Sequence, residues 1–456
     1  MKTVAVTNLI PKLYSFITFR PERFGALVYN PYLGIEKELD HQSAYCASLC
    51  NGNNSLAQIE TEMQRRFNLK PNRTGEYITS VLDELGQMSA LSIKQGSESS
   101  PPLLPDTPVF AEDGPYLSAP KNVVWDVTYF CNLSCKHCLT ASGTPAKNEL
   151  NTSEALALID KLAAAGVLSV SLSGGEPFLR KDILTLVEHI TKANMRVDIA
   201  TNGISLPETT LKRLSQLPVF QMQVSIDGIA EQHDKLRGRA GAFERSCKTI
   251  RKLRKQGIQV GIGMTVTADN FNSVERVIDL ALELDCSAFK AIPFLPAGRG
   301  HENQRLGLSR ENYRQLGKII TTRSKELEGS LNITTVTTFP FLFANAPDKV
   351  MDNGPMGCAA GYDTLSIGAD GSAYPCTFLQ EFPLGNLRDQ NLQTLWATAP
   401  TLKQLRKIQK QDLSDPCGSC NYAPLECRGG CRAAAFLQSG NLLAADPTCF
   451  KCTTTH

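Results

Sequence analysis

The apolar positions of the central part of the chain, from about residue 118 to 340, predict alternating strands and helices. Short apolar, β-branched runs are typical of strands that are buried on both faces of a parallel sheet. Between them, apolar residues recur at helical spacing, as Leu156, Ile159 and Leu162 do in a helix predicted to begin near Thr152. The six predicted strands lie in VVWDVTYF, VLSVSLS, MRVDIATNG, FQMQVSIDG, IQVGIGMTVT and SAFKAIPFLPAG. This alternation predicts an α/β fold with fewer units than a complete eightfold barrel of roughly 250 residues.

The N-terminal part of the chain has a different pattern. A strand is predicted in FGALVYNP, with GIEKELD paired to it, and three amphipathic helices follow in HQSAYCASLC, SLAQIETEMQRRF and TGEYITSVLDELGQM. The stretch QGSESSPPLLPDTP has no periodicity and is typical of a linker. We therefore predict a small α+β domain at 1–95, a linker at 96–117, a barrel at 118–340 and a C-terminal domain at 341–456.

Composition narrows the class of protein. A chain of 456 residues is expected to form two or three domains. The chain has 47 Lys and Arg residues and 45 Asp and Glu residues, so it lacks the excess of basic residues that is typical of nucleic-acid binding. No apolar run approaches the roughly 20 residues of a membrane span, and the N-terminus lacks the apolar core of a secretion signal. These features predict a cytoplasmic protein without nucleic-acid or membrane partners.

The cysteines fall into clusters. Of the 15 cysteines, four stand apart and are predicted to be plain buried residues: Cys46, Cys50, Cys247 and Cys286. The others form two groups with C-x2-C and C-x3-C spacings. In a large chain without a secretion signal, such spacings favour metal binding in a reducing compartment over disulfides.

The first group, Cys131, Cys135 and Cys138, follows the first predicted barrel strand in TYFCNLSCKHC. Three thiolates fit three irons of a [4Fe–4S] cube and leave the fourth iron open. A structural zinc site would need a fourth ligand. No cysteine or well-placed histidine follows nearby, and His137 lies between two of the cysteines, too close to share their metal comfortably.

This motif resembles that of the radical S-adenosylmethionine (SAM) enzymes, whose partial (β/α)6 barrel matches the predicted strand count. The resemblance implies that SAM binds the open iron and is cleaved reductively to a 5′-deoxyadenosyl radical. After the second strand, SGGEP looks like the family's motif for the SAM amino group, in which two glycines permit close backbone approach and a carboxylate accepts from the ammonium. The residues concerned are Gly174, Gly175, Glu176 and Pro177.

Further residues are similar to family positions that line SAM. Asn202 follows the third strand, and Ser225 and Asp227 end the fourth; Asp227 would suit ribose hydroxyls, although a simple Asp-Gly turn is the alternative. His137 occupies the position of an aromatic residue near adenine. The run EQHDKLRG, with Arg237 near its end, also recurs in relatives. It could orient substrate or SAM, or form a surface loop held by salt bridges.

The second cysteine group resembles the SPASM domain, which holds two auxiliary iron–sulfur clusters. The resemblance implies one cluster on Cys417, Cys420, Cys427 and Cys449, and another on Cys358, Cys376 and Cys431.

The chain departs from the SPASM pattern in the spacing between Cys420 and Cys427 and in a missing cysteine close after the first one. Cys452 supplies the missing ligand or exchanges with Cys449, or else one iron stays open to substrate. A zinc ribbon on Cys417, Cys420, Cys427 and Cys431 is the alternative, but it leaves Cys358 and Cys376 without a role.

The N-terminal hairpin and helices resemble the winged-helix precursor-recognition domain of peptide maturases, which is related to the peptide chaperone PqqD of pyrroloquinoline quinone biosynthesis. The rivals are a DNA-binding winged helix, for which no basic recognition helix is present, and a structural cap. Together the resemblances imply a maturase that crosslinks a ribosomally made peptide, with a flavodoxin or ferredoxin as reductant. The alternatives are a small-molecule or tetrapyrrole enzyme of the same family, an iron–sulfur electron carrier, or a zinc-binding interaction protein.

Overall fold

The computed structural model describes residues 8–95, 116–335, 359–421 and 429–450. The chain divides into two compact units. The first comprises Met1–Asp113 with Asn194–Arg196, and the second comprises Gly114–Ala193 with Val197–His456. Among the described residues, no helix is long and apolar enough to cross a membrane.

The first unit combines two small antiparallel sheets with three helices. Its elements are β1 (Leu9–Leu13), β2 (Thr18–Glu22), β3 (Gly25–Asn30), β4 (Ile35–Asp40), α1 (His41–Leu49), α2 (Leu56–Phe67), α3 (Pro71–Gln87) and β5 (Leu91–Gln95). One sheet has the order β2-β3-β4, and β1 pairs with β5. Every residue of β3 is buried, whereas β4 buries only Leu39, so β4 is an exposed edge strand.

The predicted hairpin and three helices are present in this unit. Polar side chains begin two of the three helices: Asp40 accepts from the N–H of Ser43 at the start of α1, and Ser55 forms a capping box with Gln58 at the start of α2. The strands β1, β2 and β5 lie outside the hairpin prediction. Proline in LIPKL and TFRPE weakens their strand signal, because proline is confined to strand edges and bulges.

The second unit contains a ten-stranded sheet whose parallel part is the predicted partial barrel. The strand order is β12-β11-β10-β9-β8-β7-β6-β13-β14-β15. All six predicted barrel strands are confirmed, and β12 extends the sheet parallel to the sixth. The strands are β6 (Asn122–Asp126), β7 (Ser169–Ser173), β8 (Arg196–Thr201), β9 (Gln221–Ser225), β10 (Val260–Val266), β11 (Ala288–Pro293) and β12 (Asn332–Thr335).

Helices alternate with these strands, and most of them bury an apolar face. They are α4 (Thr152–Ala164), α5 (Ile183–Lys192), α6 (Glu208–Leu214), α7 (Glu231–Arg237), α8 (Ala242–Lys255), α9 (Val274–Glu283) and α10 (Arg310–Glu326). In α4 the predicted Ile159 and Leu162 are buried, whereas Leu156 is half-buried and Leu158 is buried in addition; Gly166 follows the helix with a positive φ.

The C-terminal part of the chain joins the other edge of the same sheet. The strand β13 (Thr364–Ile367) pairs in parallel with β6, and β14 (Ser372–Tyr374) and β15 (Gly385–Asn386) continue antiparallel. The remaining helices are α11 (Leu392–Thr398), α12 (Pro400–Lys407) and α13 (Arg432–Ser439). This pairing brings the region predicted as a C-terminal domain beside the first barrel strand. The predicted limits of the domains stay predictions.

Candidate active site

The first three cysteines lie on a loop that leaves the carboxyl end of β6. Backbone hydrogen bonds close the loop: Cys131 N donates to Gly143 O and Gly143 N donates to Tyr129 O, both at 3.0 Å. Active sites of parallel β/α folds form at this end of the strands. The loop therefore lies where the sequence predicted it.

The thiols of this loop pack against a small apolar cluster. Its buried members are Leu133, Cys135, Ile204 and Ala242, with Cys131 and Cys138 packed against them. Burial raises the pKa of Cys135 to about 11, although the Arg237 charge opposes the change, and burial also raises the pKa of Cys131. A metal must displace these protons, so metal binding is expected to tighten as pH rises.

The donor set fits an iron–sulfur cluster. Three free thiols of one loop pack in the same apolar cluster, and Nη1 of Arg237 donates to the Cys135 sulfur at 3.9 Å. Thiolate ligands with hydrogen bonds to sulfur are typical of such clusters. Within the described ranges, no three His, Cys, Asp or Glu side chains converge on one point as ligands of a single metal ion. A cube does not require that convergence, because each thiolate binds a different iron.

The glycines of SGGEP touch the chain itself. A Cβ on Gly174 would lie 2.3 Å from Thr128 O, and one on Gly175 would lie 2.3 Å from Phe130 O. Hydrogen bonds from Gly175 N and Glu176 N to the same two carbonyls join the turn to the strand that leads into the cysteine loop. These two glycines therefore permit a close approach to the chain's own backbone, and the predicted approach to SAM stays a prediction.

Glu176 lies at the centre of a second set of contacts. Its carboxylate is 1% exposed and accepts from the hydroxyl of Thr201 and the N–H of Asn202, both at 2.8 Å, and from the N–H of Phe178 at 3.2 Å. Burial raises its pKa against these donors. A carboxylate offers about four lone-pair sites, so one acceptor position is left for an ammonium group.

Asn202 and Ser225 lie near this end of the barrel. The Asn202 amide donates to Asn132 Oδ1 in the cysteine loop at 2.8 Å. Ser225, the last residue of β9, is half-buried. Pro177 begins a short 3-10 turn after Glu176. The SAM contacts of these residues remain predictions.

Asp227 has surroundings that the sequence did not indicate. Its carboxylate is fully buried; Oδ2 lies 2.6 Å from Nε of Arg237 and 3.2 Å from Nε2 of His137, and Oδ1 accepts from the N–H of Thr265 at 2.8 Å. Burial alone would raise the pKa of Asp227, but Arg237 and His137 outweigh it and hold that pKa well below its usual range. A ribose contact remains a prediction, and the observed partners make Asp227 a support for the cysteine loop.

His137 connects the loop to this network. With Nε2 facing Asp227, its Nδ1 is buried and has no hydrogen-bond partner among the described residues. The predicted place beside adenine remains a prediction. The alternative for EQHDKLRG was a surface loop held by salt bridges. Arg237 does form an ion pair, but it does not lie at the surface, because it is only 9% exposed.

A support that the sequence analysis did not assign comes from PAGRG after β11. Arg299 donates to the carbonyls of Cys135 (2.8 Å) and Ser142 (2.7 Å), and its N–H donates to Cys138 O (2.9 Å). A Cβ on Gly298 would lie 2.0 Å from Leu139 O. The glycine and arginine thus bind the back of the cysteine loop, a role that spacing alone does not reveal.

Glu149 supports the loop from the other side. Its carboxylate accepts from the Thr128 hydroxyl and the Tyr129 N–H at 2.8 Å, and from the Ala146 N–H at 2.9 Å. Both ends of the loop are therefore fixed by a buried or half-buried side chain.

The second group of cysteines is partly described. Cys417 and Cys431 are buried in one apolar cluster, against which Cys376 packs. The Cys417 and Cys449 thiols are near enough to interact electrostatically, and the N–H of Cys420 donates to Cys417 O. Cys358, Cys427 and Cys452 lie outside the described residues. The allocation of ligands to each auxiliary cluster remains a prediction.

Local contacts hold this region. The Cys431 sulfur accepts from the N–H of Ala434 at the start of α13, and its own N–H donates to Asp446 (2.6 Å). Arg432 is 1% exposed and donates to the carbonyls of Leu442 and Ala444. Main-chain donors to a sulfur favour its thiolate form.

Comparison with known proteins identifies the family. Residues 125–281 match the radical SAM superfamily, and residues 358–421 match the SPASM iron–sulfur cluster-binding domain. The AdoMet-dependent heme synthase of Methanosarcina barkeri is 33% identical over 345 residues, which cover 73% of this chain and 97% of that protein. The chain belongs to the radical SAM superfamily.

This radical SAM enzyme is also similar to a maturase and to solved structures, one of which contains a peptide. Mycofactocin maturase MftC of Mycolicibacterium smegmatis is 31% identical over 339 residues, covering 73% of this chain and 83% of that protein. The crystal structure of Streptococcus suis SuiB bound to S-adenosylmethionine has a TM-score of 0.71 at 20% identity, covering 96% of this chain and 99% of that chain. A second SuiB structure contains the precursor peptide SuiA.

Family membership makes the chain an enzyme with a [4Fe–4S] cluster, SAM and auxiliary iron–sulfur clusters. When bound, these groups supply reductive cleavage of SAM and the radical that follows. The residues of this chain that would hold these groups are in place: Glu176 offers an acceptor, Arg237 donates to one sulfur, and Arg299 and Glu149 hold the loop.

Proposed function

We propose that this radical SAM enzyme oxidatively modifies a ribosomally made precursor peptide, forming a thioether, carbon–carbon or carbon–oxygen crosslink. The first unit would hold the leader segment of that peptide. The observation that carries the proposal is the exposed edge strand β4 beside α3.

An edge strand can receive an extended peptide as a further strand of its sheet. A groove of about 830 Å³ lies beside β4 and is lined by Lys37 of that strand and by residues of α3. Its charged α3 residues are Glu76, Asp83 and Glu84, and Lys37 lies 3.4 Å from Glu84. This acidic lining favours a leader that carries Lys or Arg.

The fold outside the shared core supports a peptide substrate, whereas sequence coverage alone does not separate the two classes, because the MftC alignment also covers 73% of this chain. The alignment with the M. barkeri heme synthase accounts for 97% of that protein but 73% of this chain, so about a quarter of this chain has no counterpart there. The fold of SuiB covers 96% of this chain. A unit for peptide binding is one use of the additional residues, and tethering a leader raises the local concentration of the core peptide at the barrel.

The proposed function also assigns roles to the auxiliary clusters and to the reductant. The auxiliary clusters would accept the electron that the substrate loses, and a flavodoxin or ferredoxin in the cytoplasm would reduce the SAM-binding cluster. The ligand sets proposed for the auxiliary clusters are those of the SPASM resemblance.

A second candidate is a tetrapyrrole substrate. The heme synthase match is 33% identical, against 31% for the peptide maturase MftC, so the shared core favours neither class strongly. In that case the first unit would be a cap or an internal docking piece.

The two candidates are separated by substrate. The reconstituted enzyme is incubated with SAM and dithionite, either with short peptides encoded beside its gene or with iron-coproporphyrin III. A peptide mass lower by two hydrogens, together with 5′-deoxyadenosine, is the expected result. Turnover of the tetrapyrrole with no change in any peptide would overturn the proposal.

The leader site is tested by filling the groove. Gly75 lines the groove on α3, and a Cβ there meets nothing within 4 Å, so Gly75→Trp is expected to fold and to weaken binding of a labelled peptide. Gly86→Trp is the matched control, because Gly86 lies on the same helix outside the groove lining with equal space. Basal SAM cleavage should be unchanged in both variants. Equal peptide affinity in both would reduce the first unit to a cap.

A further inference from the structure

Arg237 ends α7 and is buried beside the cysteine loop. Its Nη1 donates to the Cys135 sulfur at 3.9 Å, and its Nε lies 2.6 Å from Oδ2 of Asp227. One guanidinium group therefore contacts both a carboxylate and a thiol of the loop. The sequence separation of 102 residues between Arg237 and Cys135 shows that the fold brings this cation to the sulfur.

The guanidinium is held beside the loop by an ion pair with its carboxylate partner. Asp227 is 0% exposed, and Thr265 N–H donates to its other oxygen. Its backbone is held as well: its N–H donates to Nδ1 of His233, and its carbonyl accepts from Asn270. A buried cation is costly unless it is paired, so Asp227 makes Arg237 tolerable in this place. The Nη1 donor of the guanidinium is then directed to the cysteine loop.

We propose that Arg237 is a positioning residue that raises the reduction potential of the SAM-binding cluster through its hydrogen bond to the Cys135 sulfur. A positive charge and a hydrogen bond at a ligating thiolate stabilise the extra electron of the reduced cluster. The cluster is thereby reduced by a weaker donor than it would otherwise require. This role of Arg237 concerns only the transfer of an electron to the SAM-binding cluster, and it does not depend on which substrate the enzyme modifies.

Asp227 is expected to act in the opposite direction. Its negative charge offsets the Arg237 cation, because the two groups are in contact. Asp227→Asn removes that offset and retains the volume of the side chain. Replacing Arg237 and replacing Asp227 should therefore shift the reduction potential of the cluster in opposite directions. A purely structural role for either residue predicts no such pair of shifts.

The measurement is a potentiometric titration followed by electron paramagnetic resonance, in which the signal that changes on addition of SAM identifies the SAM-binding cluster. Arg237→Gln should lower its midpoint potential, Arg237→Lys should give an intermediate value, and Asp227→Asn should raise it. With flavodoxin as donor, 5′-deoxyadenosine formation by Arg237→Gln should fall about tenfold, and less with dithionite. Iron content is measured on each variant.

Arg239→Gln is the matched control. Arg239 donates to the carbonyl oxygen of Asn132 in the same loop at 3.2 Å. Its replacement removes the same charge as Arg237→Gln does, but the hydrogen bond that is lost goes to an oxygen and not to a sulfur. The midpoint potential of this variant should equal that of the wild type.

Three results would overturn the proposal. The first is a complete cluster at the wild-type potential in Arg237→Gln, and the second is an equal fall in potential in Arg239→Gln. The third is loss of the iron of this cluster from both Arg237→Gln and Arg237→Lys, because Arg237 would then be a structural residue.

Discussion

The first cysteine loop and the second cysteine region are supported in different ways. The loop from Cys131 to Cys138 is held by side chains from distant parts of the barrel, including Arg237 and Arg299. The second region is held mainly by neighbours in sequence, such as Arg432, which binds carbonyls ten and twelve residues away. The first site therefore depends on the assembled barrel, whereas the second carries much of its own support.

The largest effect is expected from Gly298→Ala. Gly298 has φ +55, and a Cβ would lie 2.0 Å from Leu139 O, so the substitution must push the back of the cysteine loop away. We expect the loss of the SAM-binding cluster, about four irons per chain, while the iron of the second region is retained. Iron analysis and the signal that responds to SAM measure this.

Gly241→Ala is the control for backbone strain. Gly241 has φ +71, but a Cβ there meets nothing within 4 Å, so the variant bears the strain of roughly 1–2 kcal/mol without the collision. It should retain the cluster. Equal iron loss in both variants would contradict the role assigned to Gly298.

Arg432→Met tests the other half of the comparison. The substitution leaves the carbonyls of Leu442 and Ala444 without their buried donor, at a cost of roughly 1–3 kcal/mol each. We expect loss of iron from the second region and retention of basal 5′-deoxyadenosine formation. Arg432→Lys, which keeps a cation, should lose less iron. If SAM cleavage disappears while the first cluster is intact, the two sites are not separately supported.

A smaller effect is expected from the titration of His233, which should make the stability of the folded chain depend on pH. Burial, and then the Arg237 charge, lower the pKa of His233 to about 4, below the unfolded value of 6.5. The unfolded chain therefore binds the proton more readily, and the stability from the neutral imidazole is present above pH 6.5 and is lost as pH falls towards 4. The loss is at most about 3 kcal/mol.

Thermal unfolding at pH 7 and pH 5 measures this effect. His233→Asn keeps an acceptor for the Asp227 N–H but does not titrate, so its midpoint should fall less between the two pH values than that of the wild type. An equal fall in wild type and His233→Asn would contradict the assignment.

The sequence predicted the parts of the molecule that are local in the chain. The six barrel strands, the cysteine spacing and SGGEP each lie within a few residues, and periodicity or spacing reveals them. The predicted N-terminal hairpin is also local, and β3 and β4 form it.

The supports of the site could not be predicted in the same way. Arg299 and Cys135 are 164 residues apart, and nothing in either segment indicates that they meet. The ion pair of Asp227 with Arg237 could not be predicted either, because an Asp-Gly sequence after a strand looks the same whether its carboxylate faces a ligand or a buried arginine; the ribose contact stays a prediction. The parallel pairing of β13 with β6 likewise depends on the folded sheet.

The most direct test of the account compares two triple variants in SAM cleavage with dithionite. One is Cys131→Ala/Cys135→Ala/Cys138→Ala, and the other is Cys417→Ala/Cys420→Ala/Cys431→Ala. The account predicts that the first forms no 5′-deoxyadenosine and that the second still forms it. SAM cleavage by the first variant, or its loss from the second while the first cluster remains loaded with iron, would contradict the assignment of SAM cleavage to the first loop.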